Sequence, residues 1–171
     1  MLNKEYYETI IAFLQTVGIP VHEQPLTETC FLPGIFLNRG TLLVDPNQLA
    51  YAGDLLHEAG HIAVMAPSAR RERVGDAGAD QGEEIAAHAW SYAAAVHCDI
   101  PPEIVFHEHG YQGSGSTMAG WYADGHWPGV PILAWVGLTG MPEHAGEMGK
   151  PKFPLMKAWV RQVEDPAQLV E

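Results

Sequence analysis

A chain of 171 residues, 47% hydrophobic and 18% charged, carries enough apolar material for one core, and these proportions exclude a disordered polymer. Its 21 acidic side chains against 9 basic ones give a formal charge of −12, a field that repels phosphate backbones and anionic lipid, so neither nucleic acid nor membrane is expected as a partner. Two cysteines are too few for a disulfide scaffold, and no apolar run reaches the roughly 18 to 20 residues of a bilayer span, so a cytoplasmic protein is expected.

In chain order, residues 1–18 place Leu2, Tyr6, Ile10, Phe13, Leu14 and Val17 near helical spacing, which predicts an amphipathic helix, rather than a signal segment, that Gly18 stops. A short extended segment follows at 19–22. Two apolar runs, 34–37 and 41–44, flank Asn38, Arg39 and Gly40, whose turn chemistry predicts an antiparallel hairpin. Asp45 and Pro46 read as a cap and a first helical residue, opening a helix through Leu49, Leu55, Leu56, Ile62 and Ala63 to about residue 66, which Pro67 ends. The polar stretch 68–81 is expected as a loop, with Arg70, Arg71 and Arg73 solvated.

A second long helix is expected over about 82–97, alanine-rich and apolar nearly all round, as a buried helix would be. Pro101 and Pro102 open a short helix to about residue 107. Residues 108–128 have many glycines and no clear period, which points to a functional loop or lid, and 130–138 and 154–163 are expected as short helices packed by Trp135 and Trp159. Together these elements predict one α+β domain over 1–171, mainly helical, with a small antiparallel sheet beside the helix that ends at Pro67.

That helix contains His57-Glu58-Ala59-Gly60-His61. Helical positions four apart share a face about 6 Å apart, so both imidazoles can meet one tetrahedral Zn2+ while Glu58 reaches a water beside it as general base. A catalytic zinc usually takes three protein ligands and keeps one position open. The metzincin continuation, with Gly and His three and six residues beyond the second histidine, is absent, since Val64 and Pro67 stand there. A glutamate from another helix is the natural third ligand, and the residues leave Glu84, Glu83 and His88 as candidates.

Glu84 with His88 one turn later resembles the gluzincin pattern, in which a ligand glutamate is followed four residues on by a polar partner that orients a metal-binding histidine. More narrowly, His57 to His61 together with Glu84-Ile85-Ala86-Ala87-His88-Ala89-Trp90-Ser91 is similar to the ImmA/IrrE-type bacterial metallopeptidases, over about 45 residues. That resemblance implies a zincin-like fold, Glu84 as third ligand, His88 as its neighbour outside the metal shell, and peptidase activity on a peptide or protein substrate. The chain departs from the family at His88, where Asp or Asn is usual; a neutral imidazole can serve as an orienting partner or as a ligand itself.

Hydrolysis also needs a donor for the developing oxyanion, and the segment around 107–111 supplies Tyr111 and His109 as the candidates, with Tyr122 and His126 further along. His107 and His109 on either side of Glu108 give a weak signal for a second metal. Cys30 lies upstream of the motif as a ligand cysteine does in peptide deformylases, but that family's glycine-rich and glutamine signals are missing; Cys98 reads as a small buried hydrophobe. Two other functions stand beside the peptidase: a non-catalytic module in which metal supports an interaction or regulatory surface, and a metallohydrolase of a small amide.

Overall fold

The hairpin forms where the sequence places it. Strands β2 (Ile35–Asn38) and β3 (Thr41–Val44) pair antiparallel, Ile35 opposite Val44 and Leu37 opposite Leu42, so the four residues of one face are buried together. Arg39 and Gly40 turn the chain with φ of 51° and 81°, both positive, as a two-residue turn matched to strand twist requires. The structure, a computed structural model, describes residues 4–78, 80–141 and 151–169.

The sheet is larger than this hairpin and is mixed. β1 (Val21–Glu23) runs parallel to β3, β4 (Val74–Gly75) runs antiparallel to β2, and the order is β1-β3-β2-β4. The wholly antiparallel sheet expected above is corrected on this point: β1 has three residues, largely exposed, and offers no alternation from which a partner could be read.

Helix α1 (Lys4–Thr16) buries Tyr7, Ile10, Phe13 and Leu14 along one stripe. The motif helix α2 runs from Gly53 to Val64, starting seven residues later than Asp45 and Pro46 suggested. The Asp45 carboxylate accepts from the Asn47 and Leu26 backbone N–H groups at 3.0 and 3.2 Å and from the Gln48 side chain at 2.8 Å, so its capping chemistry is spent on a turn. Helix α3 (Pro67–Glu72) follows, so Pro67 opens a helix as well as closing one.

Arg70 on α3 is not solvated as expected. Its Nε donates to the Ile62 carbonyl at 2.8 Å and its Nη2 to those of Met65 and Arg161 at 3.0 and 2.7 Å, while the Arg161 N–H reaches the Ala63 carbonyl at 2.8 Å. These donors satisfy the end of α2, where carbonyls have no partner within the helix and favour positive charge.

Helix α4 (Gln81–His97) begins at Asp80, whose side chain accepts from the Glu83 N–H at 2.8 Å. It buries Trp90 together with Ala86, Ala87, Ala89, Ser91 and Ala93, small residues that let α2 come close. At the tightest point a Cβ on Gly60 would lie 2.8 Å from the Ala87 carbonyl oxygen. Gly60→Ala should therefore lower stability by about 1 to 3 kcal/mol in a urea denaturation midpoint series, as overpacking does; no shift in the midpoint would mean the helices have room to part.

The rest covers this pair. Helices α5 (Pro102–Val105), α6 (Gly115–Ala123) and α7 (Val130–Trp135) follow α4. The expected lid 108–128 is thus largely helical, with a 3₁₀ turn at Tyr111–Gly113 and buried Ala119 and Tyr122 on α6. Residues 154–163 form no helix, yet Trp159 packs edge-on against Phe13 and Trp90, with ring centres 4.9 and 5.6 Å apart, and its carbonyl accepts from Trp90 Nε1 at 2.8 Å. Trp135, expected in the core, is 64% exposed at the end of α7. Among the described residues no helix is long and apolar enough to cross a membrane.

Candidate metal centre

The face of α2 turned to the first turn of α4 carries the chemistry. His57 and His61 stand one turn apart with their Nε2 atoms 3.3 Å from each other. Glu84 enters between them, Oε2 3.0 Å from His61 Nε2 and Oε1 3.6 Å from His57 Nε2. Four tetrahedral bonds of about 2.0 to 2.1 Å set neighbouring donors about 3.3 Å apart. The 3.3 Å between the two nitrogens and the 3.0 Å from His61 Nε2 to Oε2 lie near that value, while His57 meets the other oxygen, Oε1, at 3.6 Å, so the two imidazoles and the Glu84 carboxylate could together hold a zinc-sized cation.

The two rival candidates occupy different places. Glu83 lies behind His61, with Oε1 3.4 Å from Nδ1, the nitrogen that faces away from Glu84, where a carboxylate fixes the ring's tautomer and orientation. His88 Nε2 is 2.9 Å from Glu84 Oε1, so the carboxylate presents one oxygen to His88 and the other to His61. The donor atoms of His57, Glu84 and His88 also lie within 4.8 Å of one another, so His88 borders the site beside Glu84. His88→Ala should weaken metal affinity about 10 to 100-fold, as loss of an orienting partner does, in a chelator competition titration. An unchanged affinity would show that Glu84 holds its place unaided.

Burial and charge divide the two histidines. His57 is driven down to about 3 by burial, helped by the neighbouring charge on His61, and is neutral at physiological pH. Burial also disfavours charge on His61, but hydrogen bonds to Glu83 and Glu84 and the field of Glu58 override it and lift the group to about 9. Hydrogen bonds from His61 and His88 hold Glu84 well below the usual carboxylate range. Burial pushes Glu58 up to about 7 against the pull of His61, with Glu84 and Asp54 adding to the rise. A carboxyl poised there suits proton transfer near neutrality.

These four side chains form one wall of a cavity of about 520 Å³ whose other walls are Phe31, Leu32, Ile35 and residues 75–78. Residues 75–78 lead out of β4, an edge strand of the sheet. Tyr111, at φ 53°, stands at the start of its 3₁₀ turn with its ring edge-on to His57 and His88, centres 5.5 and 5.1 Å away. Its hydroxyl is buried without a hydrogen-bond partner, and burial, with the charges of Asp54, Glu84 and Glu58, raises the phenol well above its ordinary value.

His109 is not gathered there. It stacks against Tyr51 at 5.7 Å and lines a separate hollow with His107 and Glu108. Tyr122 donates its hydroxyl to the Pro128 carbonyl at 2.7 Å, and His126 is exposed. The His107-Glu108-His109 signal for a second metal does not materialise among the described residues, because His107 Nε2 is hydrogen-bonded to Asp54 Oδ1 at 2.9 Å. Sequence reasoning missed that pair, although Asp54 sits three residues before His57, on the same face of α2. Cys98 ends α4, its thiol pushed up by burial to about 11, which agrees with an inert hydrophobe.

No family model, curated protein or solved structure matches the chain.

Proposed function

We propose that this chain is a zinc-dependent hydrolase of the gluzincin type, a cytoplasmic metallopeptidase that acts on a peptide or protein substrate. The observation that carries the reading is the convergence of the His57 and His61 Nε2 atoms, 3.3 Å apart, on the Glu84 carboxylate, with the buried Glu58 carboxyl on the wall of the same cavity. Zinc held by those three residues would supply Lewis acidity, which makes water acidic near neutral pH and polarises a carbonyl.

Glu58 then takes the proton that water gives up and returns it to the leaving nitrogen, exchanging the roles of base and acid within one turnover. Tyr111 donates from a hydroxyl that has no acceptor inside the protein, which leaves it free for the developing oxyanion. A peptide is favoured over a small amide because the cavity continues along residues 75–78 from the edge strand β4, where an extended chain can lie beside exposed backbone, and the largely exposed Phe31 offers apolar contact at its wall. Both cysteines are free, in keeping with a reducing compartment.

The test is purification without added metal, metal analysis, and cleavage of fluorescently labelled casein before and after treatment with a chelator. Support is about one zinc per chain, with cleavage lost on chelation and restored by zinc. A chain that keeps zinc yet cleaves nothing would favour the non-catalytic module, and a chain that binds no zinc would end the metal reading altogether.

A further inference from the structure

One turn of α2 ahead of the metal cluster lies a second polar pair. His107 Nε2 and Asp54 Oδ1 are 2.9 Å apart, and only 12% and 11% of their side-chain surfaces are exposed. Tyr51 lies flat on the His107 ring, centres 3.9 Å apart and planes 17° from parallel, so the pair is covered. The bond joins residues 53 apart in sequence and ties the motif helix to the segment that carries Tyr111.

That segment is built on His107. Its carbonyl accepts from the Gly110 N–H at 3.1 Å, and its ring lies so close to Gly110 that a Cβ there would be 3.1 Å from Cε1. The next residue, Tyr111, takes φ 53°, a conformation that a residue with a side chain keeps only when its surroundings enforce it. Among the described residues, three buried side-chain polar atoms lack a partner: Tyr111 Oη, His57 Nδ1 and His107 Nδ1. All three belong to one cluster, since the Tyr111 ring stands 5.5 Å from that of His57 and 6.5 Å from that of His107. Buried polar atoms are rarely left unpaired without a functional reason, and here they gather around the Tyr111 ring, beside the candidate ligand His57.

We propose that Asp54 and His107 are positioning residues: their hydrogen bond latches the segment 107–113 to α2 and so holds Tyr111, in its strained backbone conformation, against His57 and His88. The proposal rests on the metal reading of the site, and it assigns the latch to two residues that touch neither metal nor substrate.

The experiment needs no substrate. The chain, with its six tyrosines replaced by 3-fluorotyrosine, is followed by fluorine NMR with and without Co2+, and Tyr111→Phe identifies the Tyr111 signal. In the unaltered protein that signal is single and carries a large shift from the paramagnetic ion. His107→Ala should shrink the shift by about half or more, or split the signal, because a site left without its supporting contacts loosens by an ångström or so. His107→Gln, which keeps an N–H donor within reach of Asp54, should restore it, and Asp54→Asn should fall between. Signals of Tyr92 and Tyr122 stay put if the effect is local.

A Tyr111 shift unchanged in both His107→Ala and Asp54→Asn overturns the latch. So does a change shared equally by Tyr92 and Tyr122, which would mark general loosening. An unaltered chain that takes up no Co2+ overturns instead the metal reading on which the latch depends, and the two failures are thereby told apart.

Discussion

Glu58→Gln should bind zinc in full and lose hydrolysis by about 10³-fold or more, nearly all of it in kcat, since general acid–base catalysis contributes about 10² to 10⁴. Glutamine keeps the size of a side chain that is only 8% exposed, so packing around α2 survives. What it lacks is a site for the proton released by water. Steady-state kinetics on labelled casein, beside metal analysis of the same sample, separates the two quantities. An active Glu58→Gln protein would sink the assignment of Glu58, while loss of metal together with activity would make Glu58 a ligand.

The same residue links activity to stability. Burial lifts Glu58 from 4.5 to about 7, so in the folded metal-free protein the proton is held more tightly than in the unfolded chain. The stabilisation tied to that proton is complete below about pH 4.5 and is lost as pH rises through about 7. Glutamine never ionises. The metal-free Glu58→Gln protein should therefore be more stable than the unaltered one at pH 8, by about 1 to 3 kcal/mol, and equal to it near pH 4. A catalytic carboxyl held in an apolar wall costs the fold in this way wherever it occurs.

How much of this the sequence shows depends on the distance over which each feature is decided. His57 and His61 are legible because a four-residue spacing on one helix fixes their shared face without reference to anything else. Glu84 over Glu83 is a matter of helix rotation, decided where Asp80 caps α4 and turns Glu84 toward α2 and Glu83 behind His61. The β2–β3 hairpin is legible in its turn residues, whereas β1 pairs in parallel across a long connection and carries no pattern of its own. Asp45 and Pro46 read as a helix start, and the same chemistry closes a turn once the Leu26 N–H and the Gln48 side chain arrive. Arg70 looks solvated among charged neighbours, but the end of α2 supplies carbonyls that no local window shows. Tyr111 and His109 are two residues apart and equal candidates in the sequence; the chain turns between them with a positive φ at Tyr111, and one ring meets the metal cluster while the other lies against Tyr51.

Zinc affinity should rise about tenfold for each pH unit between about pH 6.5 and 8.5 and level off above about 9, because metal and proton compete for one imidazole. His57 is already neutral throughout that range, pushed to about 3 by burial and by the charge on His61. His61 is the group that must give up a proton, since Glu83, Glu84 and Glu58 keep it charged up to about 9 despite its burial. In the metal-free protein, the stability contributed by charged His61 among these carboxylates is complete below about 6.5 and disappears as pH rises through about 9, so the stabilisation gained from zinc should grow across the same window. Chelator competition across these pH values gives the slope, and calorimetry in two buffers of different ionisation enthalpy should count about one proton released per ion at pH 7.5. Glu83→Gln supplies the control: without that carboxylate His61 releases its proton at lower pH, so the plateau moves to lower pH even as the affinity on the plateau weakens. A flat profile in the unaltered chain would mean that His61 does not compete with the metal, and the ligand set would have to be drawn again around His57, Glu84 and His88.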